Sequence, residues 1–158
     1  MIFVTVGTQL PFDRMIRVID DWAGQHPDVE VFAQIGPGTY RPKHMAFADF
    51  VPPARADELT RQASLIVAHA GMGSVLTALQ LQRPILIVPR RAALGEHRNE
   101  HQLATARWLQ SKPGITVAWD EAELAQRLDQ HDQLRPASRI EATAAPELID
   151  RLMGFINS

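Results

Sequence analysis

The chain has 158 residues, 46% of them hydrophobic and 22% charged, which is enough for one compact domain with a proper core and too few for two ordinary ones. Sixteen Lys and Arg against eighteen Asp and Glu give a formal charge of −2, so nothing in the overall charge points to nucleic acid or an anionic membrane surface as the main partner. The absence of Cys removes disulfides, thiolate zinc sites, iron–sulfur clusters and a Cys nucleophile together, and fits a reducing, cytoplasmic setting.

Met1–Val6 enters an apolar run with no basic segment and no small-residue cleavage site, so it reads as a first strand and not as a signal peptide. The longest apolar runs stop after about six residues, far short of the roughly 20 that a membrane-spanning helix needs. Ile2–Val6 is closed by Gly7. Pro11 and Phe12 then precede Met15, Ile16, Ile19 and Trp22, which recur at helical spacing. Val29–Ile35 reads as a second strand ended by Gly36-Pro37-Gly38, and Met45–Val51 as a short third one ended by Pro52-Pro53. Ala54–Ala63 suits a helix, Leu65–His69 a buried strand, Ser74–Gln82 a helix and Pro84–Val88 another buried strand. Near-continuous apolar runs of this kind suit parallel strands covered on both faces. Helical spacing resumes over Asn99–Leu109, Ile115–Trp119 reads as a last strand, and Glu121–Leu128 and Pro146–Ile156 as closing helices, with Arg135–Ala145 as a mobile connection.

Strands alternating with helices imply an α/β fold with a doubly wound, Rossmann-like parallel sheet. Residues 1–158 are expected to form one domain, with 135–158 as a C-terminal helical segment. Such sheets bind ligands at the carboxyl ends of their strands, which directs attention to the loops after Val6, His69 and Val88.

Gly7-Thr8-Gln9 joins a strand to a helix, where backbone amides and the positive helix end favour an anion. A glycine needed only for a positive φ is the plainer reading of that turn. Ala68-His69-Ala70-Gly71-Met72-Gly73-Ser74 has the composition of a phosphate cradle, with glycines that let a ligand approach the backbone and a Ser at a helix start. The alternative is that Gly71 and Gly73 serve helix–sheet packing while Ser74 caps the helix. The dinucleotide fingerprint is absent, because the third glycine position falls on Leu76 and no acid ends a second strand about 20 residues on. A Walker lysine is also absent.

The third loop, Pro89 to Gln102, is long and polar, as functional loops often are, although a solvated helix start explains its charges equally simply. Within it His97-Arg98-Asn99-Glu100-His101 spells H-x-x-E-H, but no third zinc ligand is marked and the chain is small for a zinc peptidase. No G-x-S-x-G elbow surrounds Ser74, so a Ser–His hydrolase is disfavoured too. Trp22, Trp108 and Trp119 read as core or interface side chains.

Phe3-Val4-Thr5-Val6-Gly7-Thr8 with Pro11-Phe12-Asp13, then His69 to Ser74, Pro84 to Pro89, and Gly95-Glu96-His97-Arg98-Asn99-Glu100-His101-Gln102 together resemble the C-terminal, nucleotide-sugar half of the family 28 glycosyltransferases. The likeness spans Met1 to Leu109. It is nearest to free-standing versions of that half, the small catalytic subunit of the dolichol-linked N-acetylglucosaminyltransferase and bacterial exopolysaccharide subunits. Met72 and the Gly-Glu-His-Arg-Asn loop favour the bacterial group.

The resemblance implies one half of a GT-B enzyme split into two chains. This half would hold a UDP-sugar, and a membrane-associated partner would supply the acceptor side and hold this subunit at the inner face of the membrane. It further implies inverting transfer to a polyprenyl-diphosphate-linked saccharide in exopolysaccharide biosynthesis, with no cofactor and no metal. By similarity, His69 and the backbone of Gly71, Met72, Gly73 and Ser74 would hold the diphosphate, with Gly7 and Thr8 facing the same cleft. Gln102, with Glu96 and Asn99, would hold the donor sugar, and Arg90, Arg91 or Arg98 would assist the leaving group.

No catalytic residue is assigned, since the general base is expected on the partner. Asp13 reads as a helix-start carboxylate. Many relatives carry a ribose-binding Glu where Thr77 stands, which leaves Glu96 or another residue to take that role. The competing reading is a non-catalytic module that stabilises a membrane-bound transferase, and an isolated chain would be open to homodimer formation through apolar surface near Trp22 or Trp108.

Overall fold

The computed structural model describes residues 1–97, 99–138, 147 and 150; Arg98 and, apart from Glu147 and Asp150, the expected helix over Pro146–Ile156 lie outside them. Six strands form a single sheet: β1 (Ile2–Thr5), β2 (Val31–Gln34), β3 (Ala46–Ala48), β4 (Leu65–His69), β5 (Ile85–Val88) and β6 (Ile115–Val117). Their spatial order is β3-β2-β1-β4-β5-β6, and every neighbouring pair is parallel. Five helices complete the described fold: α1 (Asp13–Gln25), α2 (Pro53–Gln62), α3 (Met72–Gln80), α4 (His101–Leu109) and α5 (Glu121–Asp129). The doubly wound α/β, Rossmann-like arrangement expected from the alternation of elements is therefore the observed one.

The central strands are largely apolar because both sheet faces are covered, with Thr5, Gln34 and His69 at their carboxyl ends. Alternate residues supply two separate cores, as a period of two requires. Ile2, Val4, Leu65, Val67, Leu86 and Val88 face a cluster completed by Met15, Ile16 and Ile19 of α1 and by Leu124 and Leu128 of α5. Phe3, Ile66, Ala68, Ile85 and Ile87 face the other, with Leu59 of α2, Val75 and Leu79 of α3, and Leu109 of α4. Trp22 belongs to the first core at 4% exposure and donates Nε1–H to Asp129 Oδ1 at 2.9 Å, so it offers no apolar surface for a second copy. Trp108 packs against the second core with the Lys112 ammonium 4.5 Å above its ring. The large hydrophobic side chains that stand exposed among the described residues are Phe50 and Leu94.

The β2-to-β3 connection, residues 35–45, carries no helix. It is held by Asp20 of α1, which accepts from Tyr40 Oη at 2.6 Å, Lys43 N at 2.9 Å and His44 N at 2.8 Å. Burial alone would raise the Asp20 carboxyl, but these donors outweigh it and hold it below the usual carboxylate range, while the same contact pushes the Tyr40 hydroxyl up to about 12. Asp13, the first residue of α1, accepts from Thr39 N and Oγ1 at 3.2 and 2.9 Å and so fastens the same connection.

The strand order reverses direction between β1 and β4. In an open parallel sheet that point leaves a crevice at the carboxyl ends of the two strands. The loops beginning at Val6 and Ala70 border it.

Candidate functional site

Gly7 has φ +76, a left-handed conformation that favours glycine, and its N–H donates to Thr5 Oγ1 at 3.2 Å. Gln34, buried at the end of β2, clamps this turn: its Nε2 donates to Thr5 Oγ1 and Gly7 O, both at 3.2 Å, while Oε1 accepts from Val51 N at 2.9 Å. Thr8 and Gln9 remain exposed beyond the clamp.

Across the crevice, α3 starts at Met72 and not at Ser74. Gly71 is the N-cap residue, no side chain caps the helix, and the first helical bond runs from Val75 N to Gly71 O at 3.3 Å. The amides of Met72, Gly73 and Ser74 therefore precede the intrahelical ladder, with the positive helix end behind them. Ser74 lies in the first turn, so capping is not its role. A Cβ at Gly73 would meet nothing within 4 Å, whereas one at Gly71 would stand 2.2 Å from His69 Cε1. Gly73 leaves room open; Gly71 leaves it for the imidazole.

His69 ends β4. Its Nδ1 lies 3.1 Å from Arg90 Nη1 and 3.1 Å from Gln102 Nε2. A guanidinium and an amide NH2 can only donate, so Nδ1 is an acceptor and the ring proton resides on Nε2. That nitrogen faces the Gly7 turn, at 3.0 Å from where a Gly7 Cβ would be. Burial lowers the His69 pKa to about 3, with the nearby Arg90 charge and His97 adding to the effect. The imidazole is thus neutral at every ordinary pH and presents one N–H donor to the crevice.

Arg90 is itself buried. Its Nη2 donates to Val6 O and Leu10 O at 2.7 and 2.8 Å, its guanidinium lies 5.2 Å from the centre of the Phe12 ring, and Nε has no acceptor among the described residues. Burial lowers its pKa to about 10, with Glu96 acting against the shift, and the residue remains a cation. Gln102 Oε1 accepts from Arg90 N at 2.9 Å, which closes a ring of contacts among β4, β5 and α4. These three residues belong to the wall of a cavity of about 240 Å³, together with Gly7, Thr8, Gln9 and His97.

Gly7 also borders a second cavity, of about 260 Å³, lying over β1 between α2 and α3. It is lined by Thr5, Gln34, Asp57, Thr60, Gly73, Ser74 and Thr77 above an apolar floor that includes Phe3 and Ile66.

The structure does not bring all the expected residues to the crevice. Glu96 lines neither cavity: its carboxylate takes Arg14 Nε and Nη2 at 2.9 and 3.0 Å and Arg91 N at 3.0 Å, which occupies both oxygens in an ion pair between α1 and the loop after β5. Asn99 is exposed, and its Oδ1 accepts from His101 N at 3.0 Å at the start of α4. Gln102 is present but already engaged at both ends of its amide, leaving one N–H for a ligand. Arg91 is bound to Trp119 O at 2.6 Å, away from the crevice, and Arg98 lies outside the described residues.

Met72 packs partly against the second core. In the H-x-x-E-H run, His97 Nδ1 accepts from Asn99 N at 3.4 Å and Glu100 Oε1 from Ala93 N at 3.1 Å. Among the described residues no three His, Asp or Glu side chains converge as a metal site requires. Gln34, Asp57 and Thr60 lie in ordinary strand and helix sequence, and nothing local to them marks a place at a cleft.

Residues 1–151 match the family model of the glycosyltransferase family 28 C-terminal domain. The chain belongs to that family. Over 106 residues this family 28 domain is 30% identical to the UDP-N-acetylglucosamine transferase subunit ALG13 of Cryptococcus neoformans, covering 61% of the chain and 50% of the fungal protein. It spans half or less of the length of the curated relatives it matches. The NMR solution structure of ALG13 superposes with a TM-score of 0.65 at 18% identity, covering 99% of this chain and 96% of that one. MurG of Acinetobacter baumannii gives 0.59 at 18% identity, covering 96% of this chain but 49% of the other, so the family 28 domain has the fold of about half of that protein. Among the described residues no helix is long and apolar enough to cross a membrane.

Proposed function

We propose that this chain is the donor-binding subunit of a two-component, inverting glycosyltransferase, and that its crevice holds a UDP-sugar. The observation that carries the reading is the His69 imidazole, fixed as a neutral Nε2–H donor by Arg90 and Gln102 and facing Gly7 beside the uncapped start of α3. A diphosphate laid beside Gly7, Thr8 and Gly71 would meet the amides of Met72, Gly73 and Ser74 as donors already in place, while Gly71 N is spent on His69 O at 2.8 Å and Gly7 N on Thr5 Oγ1. Charge developing on the leaving group is then stabilised without reorganisation, and a buried Arg cation stands behind it. On this reading no divalent metal is required.

A His69 that stays neutral down to about pH 3 and accepts on Nδ1 is a poor general base. Deprotonation of the acceptor hydroxyl therefore falls to a membrane-associated partner that supplies the other GT-B half. The acceptor is a polyprenyl-diphosphate-linked saccharide of exopolysaccharide synthesis, a reading supported by the Gly95 to Asn99 loop and Met72. The partner would hold the subunit at the cytoplasmic face of the membrane. Thr77 and the remaining N–H of Gln102 complete the donor site on its two sides.

Calorimetric titration with UDP, with ADP and NAD as controls and no added metal, tests the reading. Saturable, UDP-selective binding is the expected result. Absence of UDP binding, both to the chain and to the reconstituted pair, would contradict it and leave a non-catalytic partner module.

A further inference from the structure

Arg90 follows β5, is 3% exposed, and ties together three parts of the crevice wall. One of its nitrogens, Nη2, donates to Val6 O at 2.7 Å and to Leu10 O at 2.8 Å, a carbonyl for each of its hydrogens. Val6 and Leu10 stand immediately before and after Gly7, Thr8 and Gln9, so a single NH2 group grips both ends of that turn. Thr8 and Gln9 themselves make no hydrogen bond among the described residues. The other terminal nitrogen, Nη1, reaches His69 Nδ1 at 3.1 Å, and the backbone N–H of Arg90 donates to Gln102 Oε1 at 2.9 Å. Phe12, buried just beyond the turn, has its ring centre 5.2 Å from the guanidinium carbon. Nε is shut off from solvent and has no acceptor among the described residues, so the side chain's bonds run through its two outer nitrogens, to the turn and to the imidazole. A planar fork can serve those acceptors together, whereas an ammonium on a flexible stem is a point charge and cannot hold the same geometry.

Resting on the donor reading above, we propose that Arg90 is a positioning residue for the diphosphate: it fixes the turn over residues 7–9 against the His69 imidazole, so that both sides of the crevice stand ready before the nucleotide arrives. It acts through the turn and the ring, and not by touching the phosphates. A turn released from Arg90 would have to be ordered by the ligand itself, and that ordering is subtracted from the affinity. The effect is confined to ligands that carry the diphosphate, since the groups Arg90 holds are the turn and the imidazole that would face it.

The test is titration of the full chain with UDP and with uridine, followed in ¹H–¹⁵N spectra, using the parent, Arg90→Lys and Arg90→Met. Both variants should lose UDP affinity by about tenfold or more, while uridine binds within about twofold of its affinity for the parent. If Arg90→Lys keeps UDP affinity within about twofold of the parent, a positive charge alone is enough and the positioning role is overturned while the donor site stands. If UDP and uridine weaken together in both variants, Arg90 serves the fold at large and the role is overturned too. A parent that binds no UDP fails the donor reading itself, and this assignment with it. The unaltered chain gives a second measurement that no folding defect can obscure. Before UDP is added, the two Arg90 Nη groups should give separate ¹⁵N signals, as a guanidinium held at both ends requires, and a freely rotating guanidinium would overturn the proposal.

Discussion

Gly71 is required less by its own backbone than by the imidazole beside it. Gly71→Ala places a Cβ 2.2 Å from His69 Cε1, so the ring must leave its place between Arg90 and Gln102. Overpacking of this kind costs about 1–3 kcal/mol. UDP affinity should fall by at least about tenfold in calorimetry. His69 also ties stability to pH. Its folded pKa of about 3 lies below the ordinary imidazole value of 6.5, so as pH falls the unfolded chain takes up the proton first. The contribution is complete above pH 6.5 and is lost between 6.5 and 3, amounting to about 2 kcal/mol by pH 5. His69→Gln removes that share, and its urea midpoint should change less between pH 7 and pH 5 than the parent's; an unchanged slope would contradict the buried neutral imidazole. The place of His69, Gly7 and Gly73 at the crevice was legible because their loops follow strands and carry glycine. The engagement of Glu96 by Arg14 was not, since the two residues are 82 positions apart and a carboxylate in a polar loop carries no mark of its partner.

The secondary elements were read well wherever hydrophobic period and breakers agree. β4 was expected over Leu65–His69 and is found there, and both its neighbours in the sheet, β1 and β5, lie within a residue or two of their expected ends. α3 starts two residues before its expected position; Gly73, a poor helix former, lies in its first turn and hid the true start from the sequence pattern. The connection across residues 35–45 and the second cavity were hidden for a different reason. The first depends on Asp20 of α1 reaching a loop some 20 positions away and the second on α2 meeting α3 on one face of the sheet, which no local spacing encodes. At this scale the ion pair between α1 and the loop after β5 fixes the loop's path. Glu96→Ala leaves Arg14 partly buried without its carboxylate and Arg91 N without an acceptor, and should lower the unfolding free energy by about 2 kcal/mol. A sugar-binding Glu96 would instead give weaker donor binding with stability unchanged, so chemical denaturation and titration of one variant separate the two roles.

As a whole the molecule is a sheet with two covered faces and one working edge. The carboxyl ends of β1 and β4 carry the crevice, and the exposed side chains of Phe50 and Leu94 follow β3 and β5. A domain with the fold of about half a GT-B enzyme, with no catalytic base assigned in its crevice, should bind donor alone but transfer no sugar until a partner supplies the acceptor side. Product analysis with and without that partner checks this. The central claim is that the diphosphate of a UDP-sugar lies between the Gly7 turn and the start of α3. Its most direct test is a ¹H–¹⁵N spectrum of the labelled chain titrated with UDP in the absence of metal. The expected result is saturable shifts concentrated on the amides of Gly7, Thr8, Gly71, Met72, Gly73 and Ser74 and on the His69 ring, with Nδ1 remaining unprotonated. Shifts confined to other surfaces, or none at high UDP concentration, would contradict it.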